Sequence, residues 1–452
     1  MFKLLDKFSW LGFVFTVIGL NLIFILVTHY YELPRPLINI DYLLIIIFCY
    51  KKNLVNTVGF FVTFLVIYLV DIILIGLNIF PFIHLNDILY LSVFFFNSPS
   101  FYKLLTFASF LLFIALFILI RDGLIKKIAL TVKQILTVFI IYLGLLFLTV
   151  MNNQTQVIGS QLWFFVEHNQ SNMLEISKQG VISDLRTQYA TKPLVQQLKN
   201  NSLPSKKILL IINESWGETA ESYQQDVILE SIYKKKTQLA DIQRGQFSVV
   251  GSTVAAEFRE LCQKKLLAMD IKNIDKKNYH QCIPNLMKAK GYSTYSVHGA
   301  DATMYDRNIW YPLAGFDNRY FYNELPMGAQ CKSFNGRCDS LLIPKIKQLL
   351  MSSDKSFVYW MTLNTHAPYD DKLFNNTLNC KRVGLDNDTA VCGNYQLQNQ
   401  FFDALSQLIG DPAMKGVEVF IVGDHPPPLM ELSDGLKAFN NSQVAWLHFK
   451  IK

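Results

Sequence analysis

Apolar and polar positions divide the chain near residue 150. Upstream, Phe, Leu, Ile and Val form nearly continuous runs around 9–28, 37–50, 54–78, 102–120 and 129–150. Most approach the ~20 residues a helix needs to cross a bilayer, so five spans are expected. The 37–50 run is short, which predicts a tilted, partly re-entrant or flank-extended element. Downstream the pattern changes. Strand-like runs fall at 207–212, 246–250, 293–297, 319–322, 356–363, 417–422 and 444–449, and helix-like stretches at 256–268, 283–290, 340–351 and 394–409. That alternation predicts an α/β domain with a largely parallel central sheet. Residues 151–205 are polar and amphipathic, with one apolar burst at Leu162, Trp163, Phe164, Phe165 and Val166. They read as a linker of short helices, lying at the membrane interface or packed on the domain. The expected organisation is therefore a five-helix membrane domain over 1–150, an amphipathic linker over 151–205 and an exported α/β domain over 206–452.

Charge orients this arrangement. Lys3 and Lys7 precede the first run, Lys51 and Lys52 separate the second from the third, and Arg121, Lys126 and Lys127 separate the fourth from the fifth. The intervening loops carry few basic residues. The positive-inside rule then puts the N-terminus in the cytoplasm and everything after 150 outside. No small-residue cleavage site follows the first run, so it reads as a retained anchor. Of the seven cysteines only Cys49 lies in a span. Cys262, Cys282, Cys331, Cys338, Cys380 and Cys392 all lie in the exported part. An even number there points to disulfides in an oxidising compartment, and sequence order favours 262–282, 331–338 and 380–392. The net charge of +7 is spread along the chain. It forms none of the concentrated basic stripes of a nucleic-acid binder. Asp41 and Asp71 fall within spans, where a carboxylate is costly and often functional, and they are candidates to face a lipid head group.

Candidate chemistry gathers at strand ends. Glu214 follows the run 207–212, and Asp424-His425 follows 417–422. In open α/β sheets ligands bind at the carboxyl ends of strands. Two carboxylates and an imidazole meeting there suit a divalent cation such as zinc or manganese. Thr253 sits in Val-Val-Gly-Ser-Thr-Val-Ala-Ala-Glu-Phe-Arg, where a strand runs into a helix. By itself it reads as an N-cap. Beside a cation its hydroxyl becomes a nucleophile, and the helix N-terminus favours a phosphate. Glu218, in Gly-Glu-Thr, is a second choice for the carboxylate ligand. Glu257 and Arg259 fall on the helix after Thr253, as support for the site or as a surface pair, and Trp216 lines the pocket or packs.

These residues resemble the membrane-anchored phospholipid head-group transferases of the alkaline phosphatase/sulfatase superfamily, which include phosphoethanolamine transferases and lipoteichoic acid synthase. The resemblance implies that Glu214, Thr253, Asp424 and His425 hold the metal, with Thr253 as nucleophile. His298-Gly299 followed by Tyr305-Asp306-Arg307 resembles a substrate-contacting segment, with Arg307 as phosphate clamp and His298 as a second substrate contact. Asn364-Thr365-His366-Ala367-Pro368-Tyr369 resembles the segment whose His faces the phosphoryl group, which makes His366 a catalytic candidate. The implied partners are a phospholipid donor and an envelope glycan acceptor such as lipopolysaccharide or O-antigen. The expected location is a bacterial inner membrane with the catalytic domain in the periplasm, and the expected state is a monomer.

The cargo has two readings. The cysteines and Gly-Glu-Thr favour phosphoethanolamine, although no cysteine precedes Thr253 as one commonly does in that branch. Glu257-Phe258 and the His298…Arg307 segment favour phosphoglycerol. Phosphoethanolamine transfer is the expectation and phosphoglycerol transfer the alternative. A sulfatase-like hydrolase would need Cys or Ser in a C/S-x-P-x-R context, which Thr253 lacks. A lipid-sensing pseudoenzyme should have lost a ligand or the nucleophile, and a transporter should show an internal repeat.

Overall fold

The computed structural model describes residues 19–452 except 31–32, 34, 50–52, 80–84, 93–94, 96–99, 123–129, 152–156, 201, 203, 329, 332–335, 368, 370–377, 388, 429–434 and 436–437. The chain divides into two units, Met1–Pro81 with Ser100–Leu174, and Phe82–Pro99 with Glu175–Lys452.

In the first unit, three helices among the described residues are long and apolar enough to cross a membrane. They are α1 (Leu54–Ile79), α2 (Ser100–Ile120) and α3 (Val132–Met151). Much of the 9–28 run lies outside the described residues, and Gly19–Tyr30 forms a shorter apolar helix. The 37–50 run departs from a span. Ile38–Asn39 pairs in parallel with Ile158–Gly159, and Ile40–Cys49 then forms a 3-10 helix. At about 2 Å per residue it reaches roughly 20 Å, short of a ~30 Å hydrocarbon core. Side-chain bonds explain the departure. The Asp41 carboxylate accepts from Ser160 Oγ at 2.7 Å and the Leu162 N–H at 2.8 Å. Asp71 accepts from Arg35 Nε at 2.9 Å, Asn39 Nδ2 at 3.2 Å and Tyr42 Oη at 2.8 Å. Both carboxylates are buried and engaged by protein donors. Residues 151–205, expected to hold short helices, include one 19-residue helix, α4 (Gln161–Gln179).

The second unit is built on an eight-stranded sheet. Its strands are β1 (Lys207–Asn213), β2 (Gly217–Thr219), β3 (Leu239–Ser248), β4 (Ser293–His298), β5 (Asn318–Tyr320), β6 (Ser356–Met361), β7 (Glu418–Gly423) and β8 (Phe439–Ile451). The order is β2-β8-β7-β1-β6-β4-β5, with β3 also on β8. The five strands from β7 to β5 are parallel, whereas β8 runs antiparallel to β7, β2 and β3. The sheet is therefore mixed and not largely parallel, because β8 turns back against β7 and recruits two more antiparallel strands.

The central strands are covered on both faces, as their unbroken apolar runs require. Leu209, Ile211, Val358 and Trp360 face one layer, with α8 (Ile343–Met351) and α9 (Ala390–Ile409). Ile208, Leu210, Ile212 and Tyr359 face the other, with α5 (Thr253–Cys262), α6 (Ile283–Ala289) and α7 (Arg307–Ala314).

The six cysteines of the second unit pair in sequence order, Cys262–Cys282, Cys331–Cys338 and Cys380–Cys392. The first joins the end of α5 to the start of α6 and closes a loop of 20 residues. Loop-closure entropy for that length is about 3 kcal/mol. The double variant Cys262→Ser/Cys282→Ser should therefore melt about 10 °C lower than the unsubstituted chain. Differential scanning fluorimetry on the full chain in detergent checks this, and an unchanged melting temperature would count against a stabilising bridge.

Candidate active site

Strand register assembles the site. Asn213 of β1 lies opposite Gly423 of β7, and Met361 of β6 lies opposite both Ile212 of β1 and His298 of β4. Glu214, Asp424 and Thr362 therefore leave the same sheet edge side by side, next to His298. The Glu214 N–H donates to Thr362 Oγ1 at 2.8 Å. Ser215 adopts a left-handed φ of 53°. This turns its N–H onto Asp424 Oδ1 at 2.7 Å and its hydroxyl onto Glu214 Oε1 at 2.9 Å. Gly423 is required here, since a Cβ at that position would lie 2.0 Å from the Trp216 carbonyl oxygen. Arg259 braces the second turn, donating to the Gly423 carbonyl at 2.9 Å and the Asp424 carbonyl at 3.3 Å.

Glu214, Asp424 and His425 each offer a ligand atom, all within 4.8 Å of one another and all on buried residues. His425 Nε2 lies 3.3 Å from Asp424 Oδ2 and 3.8 Å from Glu214 Oε1. Its Nδ1 faces the Pro426 carbonyl at 2.9 Å, so Nδ1 carries the proton and Nε2 presents the lone pair. Burial, and then the neighbouring charge of Asp424, push the Glu214 carboxyl well above its ordinary value. Asp424 Oδ2 is buried without a hydrogen-bond partner. Two facing carboxylates, an unbonded carboxylate oxygen and an imidazole lone pair fit a divalent cation with mixed O/N ligands.

Thr253 is the first residue of α5, and its Oγ1 lies 3.5 Å from His425 Nε2. Gly251 has a φ of 118°, and a Cβ on it would meet the Ala255 methyl at 2.5 Å, so the approach to the helix needs glycine. Arg307, first in α7, follows two left-handed residues, Tyr305 and Asp306. Its Nε and Nη2 donate to Glu257 Oε2 at 3.1 and 2.9 Å. Nη1 is buried without a partner. Glu257 also accepts from Tyr359 Oη at 2.9 Å and from Tyr311. The surface-pair reading of Glu257 and Arg259 is thereby replaced: both are buried within the site's scaffold.

His298 Nδ1 faces the Met361 carbonyl at 3.1 Å. Burial, helped by the Arg307 charge, pushes His298 well below the usual imidazole range. His366 Nδ1 faces the Ala367 carbonyl. Burial pushes this imidazole down to about 4, with smaller effects from His425 and Asp424. Both rings therefore sit neutral at pH 7. Asp339 fixes the turn before His366 by accepting the N–H groups of Leu363 at 2.9 Å and Asn364 at 2.7 Å. Glu218 is outside the cation cluster, and Trp216 packs on Phe402 with ring centroids 5.0 Å apart.

Several supporting residues escape sequence reasoning. Gln398 Nε2 donates to the Glu214 carbonyl at 3.0 Å, and Asn394 Nδ2 to the Ser215 carbonyl at 3.2 Å. Their spacing of four on a buried helix is a signal that the pattern did carry. Tyr90 donates to Asp306 at 2.9 Å from the segment Leu85–Ser92, and nothing local in the sequence announces it.

A family model described as Sulfatase matches residues 206–446. Phosphoglycerol transferase I of Citrobacter koseri is 23% identical over 157 residues, which is 32% of this chain and 20% of that protein. The match thus spans a fifth of that relative's length. The lipoteichoic acid synthase LtaP from Listeria monocytogenes superposes with a TM-score of 0.41 and 16% identity, over 57% of this chain and 71% of that one. The C-terminal periplasmic domain of EcEptC from Escherichia coli, in complex with Zn, superposes with a TM-score of 0.40 and 15% identity, over 55% and 74%.

Two measurements probe this geometry. Asp424→Asn keeps the Oδ1 acceptor and removes one of two opposed charges. It should melt a few degrees above the unsubstituted chain without metal and lose most of the upward shift that zinc or manganese produces. At a metal concentration 100-fold above Kd that shift corresponds to about 2.7 kcal/mol. An equal metal shift in both proteins would rule out the cluster as a cation site. Glu257→Gln leaves the Arg307 charge buried and unpaired, and should cost about 3–5 kcal/mol in chemical denaturation.

Proposed function

This chain belongs to the sulfatase family, and we propose that it is a membrane-anchored, metal-dependent transferase that moves the phosphorylated head group of a phospholipid onto a hydroxyl of a cell-envelope glycan. The observation that carries this reading is the placement of Thr253 Oγ1 at a helix N-terminus, 3.5 Å from an imidazole nitrogen of the carboxylate–imidazole cluster. Glu214, Asp424, His425 and the Thr253 oxygen are the proposed ligands of a zinc or manganese ion. When bound, that ion would lower the pKa of the Thr253 hydroxyl and offset charge on the phosphoryl oxygens.

Thr253 Oγ bonds to the donor phosphorus as the bond from phosphorus to the diacylglycerol oxygen breaks. Diacylglycerol leaves as the alcohol, carrying the proton that Thr253 gives up. The head group stays on Thr253 as a phospho-threonine diester. An acceptor hydroxyl then bonds to phosphorus, the bond to Thr253 breaks, and the acceptor's proton restores the threonine. Arg307 has two nitrogens pinned by Glu257, and its unpartnered Nη1 is the donor for a phosphoryl oxygen. His366 presents Nε2 as its basic atom and relays the acceptor's proton to the departing Thr253 oxygen. His298, held neutral by burial and by the Arg307 charge, is a further substrate contact.

Phosphoethanolamine is the proposed cargo, supported by the three disulfides of an oxidising compartment where phosphatidylethanolamine is an abundant donor. Phosphoglycerol is the second reading, favoured by the match to phosphoglycerol transferase I. The proposed location is a bacterial inner membrane, with the Thr253 unit in the periplasm. A hydrolytic sulfatase reading lacks a Cys or Ser at position 253.

Envelope glycans from cells with and without the gene, compared by mass spectrometry, should differ by added phosphoethanolamine, or by phosphoglycerol under the second reading. Thr253→Ala should abolish the addition, lowering turnover at least about a thousandfold while the protein still folds. Glycans unchanged by loss of the gene would end the transferase reading.

A further inference from the structure

A second cavity, of about 150 Å³, lies beside β2 and β3 and is lined by Trp216, Glu218, Gln225, Arg244, Gly245 and Trp446 among others. Its polar groups are left unmatched by the protein. Gln225 is 1% exposed, and neither its Oε1 nor its Nε2 has a hydrogen-bond partner. Trp216, also 1% exposed, has an unpartnered Nε1–H. Glu218 is 8% exposed, and among the described residues no group donates to its carboxylate. Burial pushes that carboxyl up to about 7. Three buried polar atoms and a donor-less carboxylate around one cavity are unusual, since buried polar groups are nearly always paired.

The obvious internal counter-ion is occupied. Arg244 Nη1 donates to Asp226 and to Tyr233 Oη at 3.1 Å, and Nη2 donates to Ser222 Oγ at 2.9 Å. Arg244 thus pairs directly with Asp226, and Glu218 receives from it only a through-space attraction and no hydrogen bond. The indole of Trp446 lies flat against Gly245, where a Cβ would meet its ring atoms at 2.8 Å. A half-buried aromatic wall beside an anionic group is the setting in which an ammonium is held best.

We propose that this cavity is a binding site for a primary ammonium carried on a short hydroxylated chain, separate from the Thr253 site. The ammonium donates to the Glu218 carboxylate and to Gln225 Oε1. The hydroxyl accepts from Gln225 Nε2 and Trp216 Nε1. One amino alcohol thereby matches every unpartnered group around the cavity. The size agrees: a cavity of this volume holds a ligand about as large as benzene, and the chain of an amino alcohol is smaller. Water would satisfy the amide and the indole but would leave the Glu218 carboxylate with no cation in contact. The same chemistry is offered by a free amino alcohol and by an aminoethyl group at the end of a larger phosphodiester.

The test uses the full chain in detergent and isothermal titration with ethanolamine, glycerophosphoethanolamine and ethylene glycol, the last being ethanolamine's neutral isostere. Ethanolamine should bind at least tenfold more tightly than ethylene glycol. Binding should weaken at least tenfold in Glu218→Gln and persist in Thr253→Ala, which separates it from the Thr253 site. Glycerophosphoethanolamine binding as well as ethanolamine marks a site open to a tethered amine, whereas ethanolamine binding alone marks one for the free amine. Gln225→Met removes an amide with no protein partner, so it should raise the melting temperature while abolishing binding. Ethylene glycol binding as well as ethanolamine, unchanged binding in Glu218→Gln, or a lowered melting temperature in Gln225→Met would each overturn the assignment.

Discussion

Glu214 and Asp424 are held together by strand register against their mutual repulsion. β1 and β7 are parallel neighbours with Asn213 opposite Gly423, so the residue after each strand emerges beside the other. Burial, and then the charge of Asp424 beside it, push the Glu214 carboxyl up, so the two groups resist ionising together. The surrounding structure forces the arrangement to persist. Ser215 donates its N–H to Asp424, Thr362 takes the Glu214 N–H, and the missing side chain of Gly423 lets the Trp216 carbonyl approach. A fold that holds like charges this close is less stable than it need be, and such strain is characteristic of functional sites.

The two faces of the sheet support this edge in different ways. On the α9 side the support is neutral: Asn394 and Gln398 hold the carbonyls of Ser215 and Glu214 through amide groups. On the α5 side it is ionic. Glu257 gathers Arg307, Tyr311 and Tyr359 around one buried carboxylate. A guanidinium with two nitrogens anchored has little rotational freedom left, so its third nitrogen is directed before any ligand arrives. That is preorganisation, and it lowers the ordering cost of binding an oxyanion.

Legibility followed the physics of burial. β1, β6 and β7 are buried on both faces, so their apolar runs were unbroken; the ends of β1 and β7 marked Glu214 and Asp424 in the sequence, whereas Thr362 fell inside the 356–363 run. β3 is different: at the antiparallel edge it carries Asp241, Gln243, Arg244 and Gln246, and local pattern registered only its end, at 246–250. Strand direction is not written in periodicity, so the antiparallel return of β8 was hidden. The 37–50 run illustrates the opposite error. Hydropathy summed Leu and Ile while the bonds made by Asn39 and Asp41 set the backbone. Glu257 and Arg259 were ambiguous for a related reason. Charged residues on a helix usually mark its wet side, yet every residue of α5 is buried.

That burial explains why α5 carries so much of the site. Its three charges each reach a different part of the second unit. Glu257 takes Arg307, Arg259 takes the carbonyls of Gly423 and Asp424, and Glu260 accepts the N–H of Thr191 at 3.0 Å. The first residue of the same helix is Thr253, and the last, Cys262, is tied to Cys282. The proposed nucleophile, the proposed phosphate-binding arginine and the turn bearing two proposed ligands are thus referenced to one rigid rod. A shift of α5 moves all of them together, whereas loss of one charge moves them relative to one another. Substitutions along it should therefore couple strongly, as contacts sharing one network do. The helix is better regarded as the ruler that sets the site's internal distances than as a carrier of one threonine.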